Sequence, residues 1–146
     1  MNKFRPKKRL KASEYIEGVL KGDRVVLSRA ITVIESNLSS DKRLATEIIQ
    51  AILPHTGNSI RIGITGVPGV GKSTFIEAFG KLLIRLGHRV AILSIDPSSQ
   101  RTKGSILGDK TRMEEHANKP EAYIRPSATG DTLGGDANKT GEAMLL

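Results

Sequence analysis

The run Gly66-Val67-Pro68-Gly69-Val70-Gly71-Lys72-Ser73 satisfies the pattern G-x-x-x-x-G-K-[ST] at every fixed position. It constrains the fold because it works only between a strand and a helix. The strand delivers the chain into a tight turn, the glycines let backbone N–H groups point inward at an anion, and the helix presents its positive end. Ile60-Arg61-Ile62-Gly63-Ile64-Thr65 before it reads as a short buried strand, and an amphipathic helical pattern begins at Lys72. In that context Lys72 reaches the β and γ phosphates of a nucleotide, and the Ser73 hydroxyl can bind Mg²⁺. The plainer alternative is a glycine-rich turn that binds nothing, and the flanking strand and helix argue against it. Hydrolysis is a separate property that the loop alone does not establish.

Composition narrows the setting. The 146 residues suffice for one ordinary domain that buries roughly two-thirds of its unfolded surface. There is no Cys, which excludes a disulfide framework and a thiolate metal site and fits a reducing compartment. No apolar run approaches a membrane span, and the basic N-terminus is not followed by a signal-peptide core. The expected location is therefore the cytoplasm, with no membrane partner. The net charge of +8 would suit an acidic partner, but six of the positive charges, on Lys3, Arg5, Lys7, Lys8, Arg9 and Lys11, precede any acid. The basicity belongs to a tail, and with aromatics at 3% there is little to stack on bases, so nucleic acid is not the expected partner.

The pattern divides the chain into a basic flexible tail (1–12), a helical segment (13–54) and a truncated P-loop nucleotide-binding domain (59–146). A short helix is predicted over Ala12–Leu20, ending near Gly22. Asp23 can cap a second helix, in which Leu27, Ile31, Ile34 and Leu38 form one apolar stripe. Ser39-Ser40-Asp41 breaks and restarts the chain, and Leu44, Ile48 and Ile52 line a third helix that stops before Pro54. His55, alone in a turn, reads as a loop residue rather than a ligand.

From Ser59 the pattern becomes α/β. The helix opened by Lys72 is expected to bury Phe75, Phe79, Leu82 and Leu86 and to end at Gly87. Arg89–Ile95 is the next strand, so strand, crossover helix and strand make a βαβ unit with a parallel sheet. Asp96 follows that strand and leaves the sheet on the edge that carries the phosphate loop, where it could hold Mg²⁺. The alternative is a turn at Asp96-Pro97-Ser98-Ser99, with the Asp bonded to the next backbone N–H groups. Gln100 to Lys110 reads as a polar loop of the kind that senses a γ phosphate, with Asp109 and Lys110 as its charged candidates. A helix near Thr111–Ala117, a short strand at Ala122–Ile124, a loop from Pro126 to Gly135 and a final helix capped by Asp136 complete the chain.

Several segments together resemble a known family. Gly66 to Phe75, Asp96-Pro97-Ser98-Ser99, Gly104 to Met113, Tyr123-Ile124-Arg125-Pro126-Ser127 and Thr132-Leu133-Gly134-Gly135 look like the methylmalonyl-CoA mutase-associated GTPases, also catalogued as ArgK-type or LAO/AO transport ATPases. Gly104 to Met113 is the most specific of these, because no general nucleotide motif demands it. The resemblance implies an α/β fold of the signal-recognition/MinD-like branch of P-loop NTPases, with a parallel sheet, flanking helices and an N-terminal helical segment. It implies a homodimeric GTPase that gates adenosylcobalamin loading and protects the mutase it serves, with GTP or GDP and Mg²⁺ as ligands. It places Gly66, Val67, Pro68, Gly69, Val70, Gly71, Lys72, Ser73 and Thr74 on the nucleotide. Lys72, Asp96 and Asp109 become catalytic, and Ser73, Asp96 and Asp109 lie at the metal. Asp109 gains its role from the resemblance alone.

Asp136-Ala137-Asn138-Lys139 and Gly130-Asp131 depart from the family's usual residues. Family members also continue well past the position of Leu146, into a base-reading Asn-Lys-x-Asp motif and a dimerisation arm that this sequence lacks. Asn118-Lys119-Pro120-Glu121 is a decoy for that motif, with Glu at the deciding position. From its residues the chain could equally bind ATP, so a P-loop kinase, a transport-associated ATPase and a non-catalytic nucleotide-binding module are the alternatives.

Overall fold

The structure, a computed structural model, describes residues 9–95, 121–127 and 135–146. It divides into two compact units, one comprising residues up to Asn58 together with 141–146, the other running from Ser59 to Thr140.

The first unit is built from α1 (Ala12–Leu20), α2 (Arg24–Glu35) and α3 (Ser39–Ile52), followed by a single 3₁₀ turn at Leu53–His55. Local chemistry starts the first two helices. The Glu14 carboxylate accepts from the Lys11 N–H at 2.7 Å, and the Asp23 carboxylate accepts from the N–H groups of Val25 and Val26 at 2.8 and 3.1 Å. Their apolar stripes meet in one core of Tyr15, Ala30, Val33, Ile34, Ala45, Ile48 and Ile52. α1 and α2 approach closely at Gly18, where a Cβ would stand 2.5 Å from Val26 Cγ1.

Two expectations for this unit change. Leu38 leaves the α2 stripe because that helix ends at Glu35, and its side chain is 61% exposed. Asp41 lies within the first turn of α3 rather than in a connection, buried and ion-paired with Arg9, whose Nη2 donates to Asp41 Oδ2 at 2.7 Å. Burying a carboxylate without a partner is costly, so the pair is what makes this position tolerable. Arg9, in the stretch expected to be a free tail, is thus docked on α3.

The second unit contains α4 (Lys72–Arg85), β1 (Val90–Ile95) and β2 (Ala122–Ser127). The strands are parallel, in register from Val90 opposite Ala122 to Ile95 opposite Ser127. The parallel sheet is present, but β1 pairs with β2 and not with the segment before the phosphate loop. Ile60–Thr65 is exposed, and no ladder includes it among the described residues. A strand needs a neighbour to hold its N–H and C=O groups, and the apolar alternation alone does not supply one. β2 runs further than expected, through Pro126, which lacks an N–H and so suits an outer strand.

α4 also differs from its expected burial. Phe75, Leu82 and Leu86 are 55%, 46% and 64% exposed, whereas Ile76, Phe79, Gly80 and Leu83 face a cleft shared with β1 and Ile60–Ile64. The helix ends as predicted at Gly87, with the Gly87 N–H donating to the Ile84 carbonyl and the His88 N–H to that of Leu83. The last helix, α5, is Gly135–Ala143, and Leu146 beyond it packs against the helical core of the first unit. Asp96, Asp109 and the expected helix at Thr111–Ala117 lie outside the described residues. No helix among the described residues is long and apolar enough to cross a membrane.

Candidate functional site

The loop from Gly66 to Gly71 leads from Ile60–Thr65 into α4 through a turn. Gly69 and Gly71 adopt φ values of +80° and +95°, which side-chain-bearing residues rarely take. The Val70 N–H donates to the Val67 carbonyl at 3.4 Å within the turn, and the Phe75 N–H donates to the Gly71 carbonyl at 2.9 Å, opening the helix.

That first helical bond begins only at Phe75. The N–H groups of Lys72, Ser73 and Thr74 therefore have no acceptor within the helix. Gly71 supplies no side-chain cap, and no acidic residue stands in the first turn. The positive end of α4 is uncompensated by its own residues, an arrangement that favours an anion.

Lys72 turns back from α4 across the loop. Its Nζ donates to the carbonyls of Gly66 and Val67 at 2.7 and 2.9 Å. An ammonium has three N–H bonds, so two brace the side chain over the loop and the third is left for an anion's oxygen. Space under this brace is tight: a Cβ at Gly66 would lie 3.1 Å from Val70 Cγ1 and 3.7 Å from Lys72 Cδ.

Ser73 is half-buried in the first turn of α4, and Thr74 beside it is exposed. Among the described residues no group of three His, Cys, Asp or Glu side chains is placed to hold a metal. Ser73 is thus the described residue whose hydroxyl the loop pattern assigns to a cation. The cleft under α4 is a different feature, since none of its lining residues belongs to Gly66–Thr74.

The sequence pattern names every residue of the loop, and the structure brings Gly66, Val67 and Lys72 into direct contact. The pattern does not tell that the first loop residues serve through their carbonyls. Spacing is the only available signal, because Lys72 stands six residues after Gly66 and its long side chain can span that turn.

Comparison with known proteins agrees with the loop. The sequence profile of the family described as methylmalonyl Co-A mutase-associated GTPase MeaB matches residues 27–146. A probable GTPase of Mycobacterium tuberculosis is 58% identical over 125 residues, covering 86% of this chain and 37% of that protein. The GTPase ArgK of Escherichia coli is 48% identical over 134 residues, covering 92% of this chain and 40% of its own length. A crystal structure of an LAO/AO transport system kinase superposes with a TM-score of 0.74 at 35% identity, covering 97% of this chain and 40% of that one. The chain spans about two-fifths of the length of these relatives. With its phosphate loop, parallel strands and family match over residues 27–146, the chain belongs to the methylmalonyl-CoA mutase-associated GTPase family and has a P-loop NTPase fold.

Proposed function

We propose that the chain binds a guanine nucleotide through Gly66–Thr74 and that the full-length protein hydrolyses GTP to GDP and inorganic phosphate. The observation that carries this reading is the Lys72 brace, which holds a cation over a loop whose helix end is uncompensated. Guanine rather than adenine is favoured by the relatives, which are described as GTPases.

Within this reading each residue has a defined task. Backbone N–H groups at the start of α4 bind phosphate oxygens, and Lys72 stabilises the charge that builds up as the γ phosphoryl group passes to water. Ser73, Asp96 and Asp109 would hold Mg²⁺, which when bound neutralises charge on the β and γ phosphates. Intrinsic GTPases of this kind are slow, and a group supplied by a partner adds about 10³ to 10⁵ in rate.

The partner is an adenosylcobalamin-dependent mutase, in keeping with the family's description as mutase-associated. Nucleotide state would gate cofactor loading and protect the holoenzyme, with the full-length protein acting as a homodimer in the cytoplasm. Phosphate release from GTP, measured with and without methylmalonyl-CoA mutase, tests this. A rate that the mutase leaves unchanged argues against the partnership. A second reading, phosphoryl transfer to a small acceptor, draws on the solved relative described as a transport system kinase. Acceptor-dependent loss of ATP, with phosphate recovered on the acceptor, would favour it.

A further inference from the structure

The helical unit has one strongly positive end. α1 and α3 are joined through α2 by two short connections, so they run in the same direction and their starts lie together. The Arg9–Asp41 ion pair agrees, since it joins the chain just before α1 to the first turn of α3. Lys11 at the start of α1, and Lys42 and Arg43 in the first turn of α3, are exposed and form no ion pair among the described residues.

Both acids of this end are occupied. Asp41 is buried against Arg9, and the Glu14 carboxylate accepts from the Lys11 N–H. The next acid along α3 is Glu47, four residues after Arg43. Lys3, Arg5, Lys7 and Lys8 precede Arg9 in the sequence, so that basic run enters the unit at this same end. Most of the net charge of +8 therefore belongs to one end of one small bundle.

Leu38 adds an apolar contact there. It immediately precedes α3 and is 61% exposed, whereas Leu10 and Leu44 pack on the core. An exposed leucine beside unpaired cations suits a protein segment, which can offer apolar and acidic side chains together. It suits a nucleic acid less well, because Tyr15 is fully buried and cannot stack on a base.

We propose that this end of the helical unit docks an acidic segment of a partner protein, with Lys11, Lys42 and Arg43 on its carboxylates and Leu38 against one of its apolar side chains. Charge complementarity carries the choice of partner. The proposal is independent of which nucleotide the loop binds.

The test is fluorescence anisotropy of a labelled peptide of Glu-Glu-Leu repeats titrated with the 146-residue chain. The parent should bind it, more weakly as salt rises, and should not bind the same peptide with Lys in place of Glu. Lys42→Glu/Arg43→Glu should weaken binding at least about tenfold, and acids are tolerated at a helix start, so its helical content should be unchanged. Leu38→Ser should weaken it at least about threefold. Lys21→Glu, at the other end of α1, should stay within about twofold of the parent. Peptide affinity that the folded Lys42→Glu/Arg43→Glu variant retains would overturn the proposal. Tighter binding to a DNA duplex or to phosphatidylserine vesicles than to the peptide would also overturn it, because the surface would then serve a nucleic acid or a membrane.

Discussion

Lys72 Nζ donates to the Gly66 carbonyl at 2.7 Å, tying the lysine of the phosphate-loop pattern to the glycine that opens it. The bond has a purpose that sequence spacing does not express. A lysine ammonium on a four-carbon stem is mobile, and anchoring it on two carbonyls fixes its charge over the loop before an anion arrives. Binding then loses little rotamer freedom at the lysine.

Backbone conformation is the second requirement of the loop. Gly71→Ala forces an L side chain into φ +95° at the position that opens α4, at a cost of about 1–2 kcal/mol. Nucleotide affinity should fall roughly tenfold, as read by calorimetry. Gly63→Ala is the control, because a Cβ there meets nothing within 4 Å and its φ is not positive. Its affinity should stay within about twofold of the parent.

Ser73 carries the metal assignment. Ser73→Ala should weaken GTP binding in Mg²⁺ and leave binding in EDTA nearly unchanged, so that the stimulation by Mg²⁺ is lost. Titrations in both buffers check this, and persistence of the full Mg²⁺ effect would remove Ser73 from the site.

In the helical unit, Gly18 is set by contact. Alanine is the better helix former by about 1 kcal/mol, yet its Cβ would lie 2.5 Å from Val26 Cγ1 and 2.7 Å from Val26 Cβ. Because the Val26 Cβ itself is in the way, a rotamer change cannot relieve the clash. We expect a net loss of about 1–2 kcal/mol for Gly18→Ala, most of which persists in Gly18→Ala/Val26→Ala because alanine keeps the obstructing Cβ. Chemical denaturation of the two variants measures it.

Arg9→Ala leaves the buried Asp41 carboxylate without its cation and should cost about 1–2 kcal/mol, moderated because the Arg9 side chain is 44% exposed. Combining it with Asp41→Leu should restore part of the loss, since a well-packed apolar group can replace an ion pair. Denaturation midpoints of the single and double variants decide.

What the sequence made legible follows from how local each signal is. Asp23 capping α2, Gly87 ending α4 and the loop from Gly66 to Ser73 depend on neighbours a few residues away, and each is found where its pattern places it. Ile60–Thr65 has the composition of a buried strand, but pairing is a long-range property, and no ladder among the described residues includes it. Phe75, Leu82 and Leu86 have helical spacing, and spacing alone does not say which of two apolar faces is covered. The ion pair between Arg9 and Asp41 joins residues 32 apart, and a run of basic residues gives no hint that one of them is anchored.

The most direct measurement is a calorimetric titration of GDP into the parent chain and into Lys72→Ala. The parent should bind one GDP per chain. The variant, which loses a charge-assisted contact of about 1.5–3 kcal/mol, should bind roughly 10- to 100-fold more weakly with its helical content unchanged. Equal affinity in the two proteins, or no binding to the parent, would contradict a nucleotide site built on the Gly66–Lys72 brace.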